Sequence, residues 1–144
     1  MSLDIVIATG PLLGEWREIH NAIIPTAPLS ADEVADRSGR HRLTLGYVSG
    51  QVVGNATVRP PADDETVATV IVRIVPEHRR HGFGTEYLAA ELAQARALGA
   101  LRIETVVLAS NTDGLAFAAA SGFVEHDRYV LDGQETPFVD LHLP

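Results

Sequence analysis

Two periods of hydrophobic positions alternate along the chain. Leu3 to Thr9 is short and rich in β-branched residues, which predicts a strand. Leu12 to Ile24 carries apolar residues at 12, 13, 16, 19, 23 and 24, a helical spacing that Pro25 stops. Ser30 is placed to cap a second short helix running to about Ser38 and ended by Gly39. Arg42 to Val48 and Val52 to Arg59 flank the turn Ser49-Gly50-Gln51 and read as a β-hairpin. After the acidic loop Asp63-Asp64-Glu65, Thr66 to Val75 is the most apolar run, as expected of a central strand covered on both faces. Thr85 to Leu98 is a helix with Leu88, Leu92, Ala95 and Leu98 on one face and Gly99 as its stop. Ile103 to Leu108 is another strand, Asn111 to Ser121 a helix ending at Gly122, and Phe123 to Leu131 and Phe138 to Leu143 two closing strands. The order β-α-α-β-β-β-α-β-α-β-β predicts a mixed α/β sheet of about seven strands with four helices.

Composition narrows the class. A chain of 144 residues fits one domain, taken here as residues 1–144. With 46% hydrophobic and 21% charged residues it has the apolar surface to fold. The net charge of −8 speaks against nucleic acid and anionic membranes, and leans mildly towards cationic partners. There is no cysteine, so no disulfide, catalytic thiol or thiolate metal site. No apolar stretch reaches the roughly 18 residues of a membrane span, and a cytoplasmic location is expected.

The chemistry is concentrated in Val72-Arg73-Ile74-Val75-Pro76-Glu77-His78-Arg79-Arg80-His81-Gly82-Phe83-Gly84-Thr85. Pro76 ends the strand, and Gly82 and Gly84 lie where the next helix begins. A helix start leaves amide N–H groups unpaired and partly positive, and glycines let an anion approach them. With Arg79 and Arg80 alongside, this is a candidate pyrophosphate cradle. Taken alone, R-x-x-G-x-G is equally a strand-to-helix turn with solvated arginines. Its place between the most apolar strand and the best helix favours the cradle. Neither the dinucleotide fingerprint nor a P-loop fits it.

This segment resembles the hallmark of the GNAT superfamily of acyl-CoA-dependent N-acyltransferases, R/Q-x-x-G-x-G/A after a strand ending V-x-P-E-x-R. Asn111 and Phe117-Ala118-Ala119-Ala120-Ser121-Gly122-Phe123 resemble the family's later pattern, and the element order matches over nearly the whole chain. The resemblance implies a mostly antiparallel sheet whose two central strands splay to open a slot. It implies acetyl-CoA as co-substrate, with no metal, and direct attack of a primary amine of a small molecule or protein on the thioester. The backbone of Ile74 and Val75 would pair with the pantetheine arm. Amides from Arg80 through His81, Gly82, Phe83 and Gly84 to Thr85, with the Arg79 and Arg80 side chains, would hold the pyrophosphate. Asn111 would bond the pantetheine, Phe117 would pack near it, and an amide near Ile74 would face the thioester oxygen.

One position departs from the family. Where members commonly carry a tyrosine that protonates the leaving thiolate, this chain has Ala118. That keeps a second reading open, a non-catalytic acyl-CoA-binding or regulatory domain of the same fold. For the base that deprotonates the amine, Glu104 on the strand bordering the slot is the first choice, ahead of Glu65, His126, His41 and water. Its competing role is an outward-facing partner of Arg102 or Arg73. His78 and His81 are spaced as a metal pair without a third ligand. Asn55-Ala56-Thr57 fits a glycosylation sequon, and Trp16 and Ile19 read as core or as cover over the acceptor cleft. The segment Gly10 to Arg42 would shape the acceptor site, its acids Glu15, Glu18, Asp32, Glu33 and Asp36 leaning towards a cationic acceptor. The closing strands offer an edge for a homodimer.

Overall fold

The structure is a computed structural model that describes residues 2–62 and 65–144. Strands β1 (Leu3–Ile7), β2 (Arg42–Val48), β3 (Gln51–Arg59), β4 (Val67–Ile74), β5 (Arg102–Leu108), β6 (Val124–Tyr129) and β7 (Phe138–Leu143) form one sheet in the order β1-β2-β3-β4-β5-β7-β6. Helices α1 (Leu12–Ile23) and α2 (Ala31–Ser38) lie on one face, and α3 (Phe83–Ala97) and α4 (Thr112–Ala120) on the other. All pairings are antiparallel except β4 with β5.

That parallel pair is short. Val67, Ala68 and Thr69 match Arg102, Ile103 and Glu104, and beyond them the two strands part. The other edge of β4 stays paired with β3 as far as Ile74. The splay implied by the resemblance is therefore a wedge, closed at Thr69–Glu104 and open towards Ile74 and Leu108.

Several element ends differ from the sequence expectation, each for a local reason. The hairpin turn is the two residues Ser49-Gly50, both at positive φ (50° and 78°), so Gln51 already pairs with Val48. That geometry suits the right-handed twist of the flanking strands. Helix α3 starts two residues early, at Phe83, because left-handed Gly82 (φ 81°) makes the turn into it. Strand β6 ends at Tyr129 rather than Leu131. Asp63 and Asp64 of the acidic loop lie outside the described residues, and Glu65 is exposed.

Beneath α3 and α4, Val58, Ala68, Val70, Leu88, Ala95, Ile103, Phe123, Val139 and Leu141 form a hydrophobic core. Beneath α1 and α2, fully buried Trp16 packs with Leu43, Leu45 and Val34, and its indole N–H donates to Ala56 O at 3.2 Å. Trp16 and Ile19 are thus core residues. Asn55 of the sequon is buried too, its amide donating to Trp16 O at 3.1 Å, so it offers no glycosylation site.

Helix α2 begins with a reciprocal cap. Glu33 N donates to Ser30 Oγ at 3.1 Å, and Ser30 N donates to the Glu33 carboxylate at 3.0 Å. These bonds hold the Glu33 carboxyl below its ordinary range.

Candidate active site

The open end of the wedge holds two connected cavities. The outer channel, about 320 Å³, is walled by Ile74, His78, Arg79, Arg80, Gly82, Gly84 and Thr85 on one side and Asp113 and Ala116 on the other. The inner slot, about 370 Å³, lies between the parted strands, with Val70, Ile71, Thr105 and Val106 in its wall and α1 and α2 above. Both volumes fall in the range of small-molecule sites. Val72, Arg73, Asn111, Gly114 and Phe117 line both and mark the junction.

The channel's rim is shaped by the backbone. Val75–Pro76 leaves the strand, Pro76–His78 makes one 3-10 turn, and Arg80 and Gly82 follow in left-handed conformations (φ 66° and 81°) before α3 begins. A non-glycine residue in that region costs about 1 kcal/mol or more, and such strain gathers where the chain serves a ligand. Gly84 is needed for close approach. A Cβ there would stand 3.2 Å from the Phe117 ring and 3.5 Å from Ile74 Cγ1, tightening the channel where it meets the slot.

Most of the residues expected in the cofactor site line this channel: Ile74, Arg79, Arg80, Gly82, Gly84, Thr85, Asn111 and Phe117. Three sit elsewhere. Phe83 is buried in the core with Tyr87 and Val53, exposed His81 stacks on Phe83 with ring centroids 5.8 Å apart, and Val75 packs towards α1. His81 also donates from Nδ1 to His78 O, and no group of three or more His, Asp or Glu among the described residues has metal-site geometry. Arg79 is a brace as much as a wall. Its Nε donates to Ile74 O at 2.8 Å and its Nη1 to Asp113 at 3.2 Å, tying the end of β4 to the start of α4. Asn111 caps α4 by accepting from Gly114 N at 3.0 Å, which fixes its side chain at the junction.

The candidate bases are not brought together at the slot. Glu104 lies at the closed end of the wedge, its carboxylate 3.6 Å from His126 Nε2, and neither residue lines the channel or the slot. Exposed Glu65 and half-buried His41 also lie outside it. Of the acids in the Gly10–Arg42 segment, Glu33 alone reaches the slot wall. Asp36 pairs with Arg40, and Glu15 accepts from the Tyr47 hydroxyl.

Three arginines, Arg37, Arg59 and Arg73, line the slot instead, together with His20. Burial and the neighbouring guanidiniums lower Arg73 to about 10. His20 is pushed down to about 4, chiefly by burial and then by Arg73. Its Nε2 faces Ala27 O at 3.1 Å; a carbonyl only accepts, so Nε2 carries the proton and Nδ1 is a lone pair without a protein partner. The sequence carried one signal for this cluster: Arg73 is a lone charge inside the most apolar strand.

The profile of the acetyltransferase (GNAT) family matches residues 12–123. Among solved structures, the ribosomal-protein-S18-alanine N-acetyltransferase of Escherichia coli superposes with a TM-score of 0.78 at 20% identity, covering 99% of this chain and 94% of its own. An N-acetyltransferase from Staphylococcus aureus Mu50 gives 0.75 at 18% identity, covering 99% and 98%. A Salmonella typhimurium protein solved with its cofactor acetyl-CoA gives 0.74 at 17%, covering 98% and 92%. At these identities the likeness is one of fold. No curated protein matches the sequence at a significant level.

Proposed function

The chain belongs to the acetyltransferase (GNAT) family and is an acetyl-CoA-dependent N-acetyltransferase, and from that premise we propose that it acts as a single domain, 1–144, on a small primary amine seated in the inner slot. The observation that carries this reading is the junction, where the channel and the slot share Val72, Arg73, Asn111, Gly114 and Phe117. A donor entering from one side and an acceptor from the other meet there, and holding both in one geometry removes much of the entropic part of the barrier. Arg80, the amides from Gly82 to Thr85 and the start of α3 would hold the pyrophosphate, and the free edge of β4 beyond Thr69, ending at Ile74, would pair with the pantetheine arm. The backbone amide near Ile74 would stabilise the oxyanion.

Proton removal follows from the slot's charge. His20 at about 4 and Glu33 below its ordinary range are weak bases. Guanidiniums beside an ammonium disfavour its charged form and bring its own pKa down. The proton then leaves to water, and Glu104, paired with His126, stands outside this route. No tyrosine stands at position 118 to protonate the leaving thiolate; Ala118 there is buried against the core and lines the slot.

No helix among the described residues is long and apolar enough to cross a membrane. A cytoplasmic setting, and a homodimer along the free edge of β6 where Val124 is exposed, complete the proposal.

Thermal unfolding with acetyl-CoA, CoA and ATP tests the donor site. At about 100 times Kd, binding adds roughly 2.7 kcal/mol; acetyl-CoA and CoA should raise the Tm and ATP should not. Gly84→Val should cut that shift by narrowing the channel against Phe117. With an acceptor, kcat/KM should climb about tenfold per pH unit until the amine's apparent pKa is reached. Glu104→Gln should keep that profile; a flattened profile would return Glu104 to the role of base.

A further inference from the structure

The arginines of this protein fall into three groups. Arg40, Arg42, Arg79 and Arg128 each pair with a carboxylate within 3.2 Å. Arg80, Arg96 and Arg102 are exposed to water, and Arg17 donates to Leu29 O. Arg37, Arg59 and Arg73 belong to neither class: they converge on one slot, and among the described residues none has a carboxylate at ion-pair distance.

This is the reverse of what a chain of net charge −8 would place there by chance. Arg59 and Arg73 lie on one face of the sheet, Arg59 opposite Thr69 and Arg73 opposite Asn55, and Arg37 faces them from α2. The Arg59 Nε is buried without a hydrogen-bond partner. Besides burial, Arg37 lowers Arg59, and Arg59 and Arg37 both lower Arg73, so the charges repel one another as the group stands. The acids nearby are already committed. Glu33 is held by the cap of α2, and Asp140 accepts from the Tyr129 hydroxyl at 3.1 Å. An unanswered cluster of this kind is stable only at a cost, which a ligand with the opposite charge would offset.

We infer that the acceptor is an anionic amine, a primary amine whose own carboxylate or phosphonate is held by Arg37 and Arg59 while its nitrogen reaches the junction beside Arg73. This rests on the acetyltransferase reading and adds the substrate class. Arg37 and Arg59 line the slot alone, whereas Arg73 lines both cavities, so anion and amine are held at different places. A guanidinium presents a planar fork that binds a carboxylate or phosphonate through two bonds, and two of them select a ligand by charge and shape. The slot, at about 370 Å³, accommodates an amino-acid-sized molecule. The mild lean of the composition towards cationic acceptors is thereby reversed by where the charges sit.

The test begins without turnover. With CoA bound, glutarate should raise the Tm of the wild-type protein while its uncharged diamide does not, and Arg59→Gln should abolish the glutarate shift yet keep the CoA shift. Thiol release is then compared between L-glutamate and 2-aminoethylphosphonate on one side and ethanolamine and L-glutamine methyl ester on the other. An amidated peptide starting with glutamate separates a peptide source of the same chemistry from a free one. The anionic amines should be turned over at least tenfold better in kcat/KM, and Arg37→Gln or Arg59→Gln should remove that margin. Equal stabilisation by glutarate and diamide, or preference for the neutral amines, overturns the inference while leaving the donor site intact. Loss of the CoA shift in the wild-type protein overturns the acetyltransferase reading itself.

Discussion

Two clusters of polar side chains occupy opposite faces of the same sheet, and they are built to opposite rules. On the α3 face, Glu91 is fully buried and answered by Arg42 at 3.0 Å, while Thr44 bridges it to the Tyr87 hydroxyl, 2.6 Å away. On the α1–α2 face, Arg37, Arg59 and Arg73 surround an open slot, and among the described residues no carboxylate stands at ion-pair distance from them. The first cluster is closed within the chain and ties α3 to β2. The second is incomplete until something enters it. The contrast distinguishes charge used to hold the fold from charge reserved for a ligand.

Breaking the closed cluster gives the largest effect. Arg42→Leu leaves the Glu91 carboxylate buried without a counter-ion and should cost about 3 kcal/mol of stability in urea unfolding. Removing both partners as Arg42→Leu with Glu91→Leu should recover much of that loss, because no charge remains stranded. Arg59→Gln on the other face should leave the Tm unchanged or slightly higher, since it relieves repulsion within the slot. A large loss there would mean that the slot arginines also hold the fold together.

The pH dependence of stability sharpens the comparison next. His20 is lowered to about 4 in the folded protein against 6.5 ordinarily, so between those values the unfolded chain binds more protons. Stability is therefore full above about pH 6.5 and falls as the solution is acidified towards 4, by roughly 3 kcal/mol at most. His41 is lowered by burial and adds loss in the same direction. His20→Gln should flatten that part of the curve measured by thermal unfolding across pH. The smallest effect belongs to Tyr87→Phe, which removes the bond with Thr44 and should cost about 1 kcal/mol.

Much of this molecule was legible in its sequence. Hydrophobic period, Pro25, the Ser30 cap and the Gly82–Gly84 spacing are local signals, and they carry the element order and the turn that forms the channel rim. Element ends were less certain, as with Gly82 turning the chain into α3 two residues early, because a left-handed cap leaves no mark beyond the glycine itself. Glu104 marks the limit of local signals. The strand that carries it is legible, but whether the residue lies at the open or the closed end of the wedge depends on a pairing that stops after three residues.

The sequence by itself determined what each segment would become, because helix, strand and cap formation depend on neighbours within a few positions. The charge of the acceptor slot was decided only by tertiary structure. Arg37, Arg59 and Arg73 come from a helix and two strands, separated by more than a dozen residues, and apart from the apolar strand around Arg73 nothing in their local sequence tells them apart from the arginines that meet a carboxylate. Whether a charge is answered or left waiting depends on which groups the fold brings within a few ångströms, and that distance exists only once the chain has closed on itself.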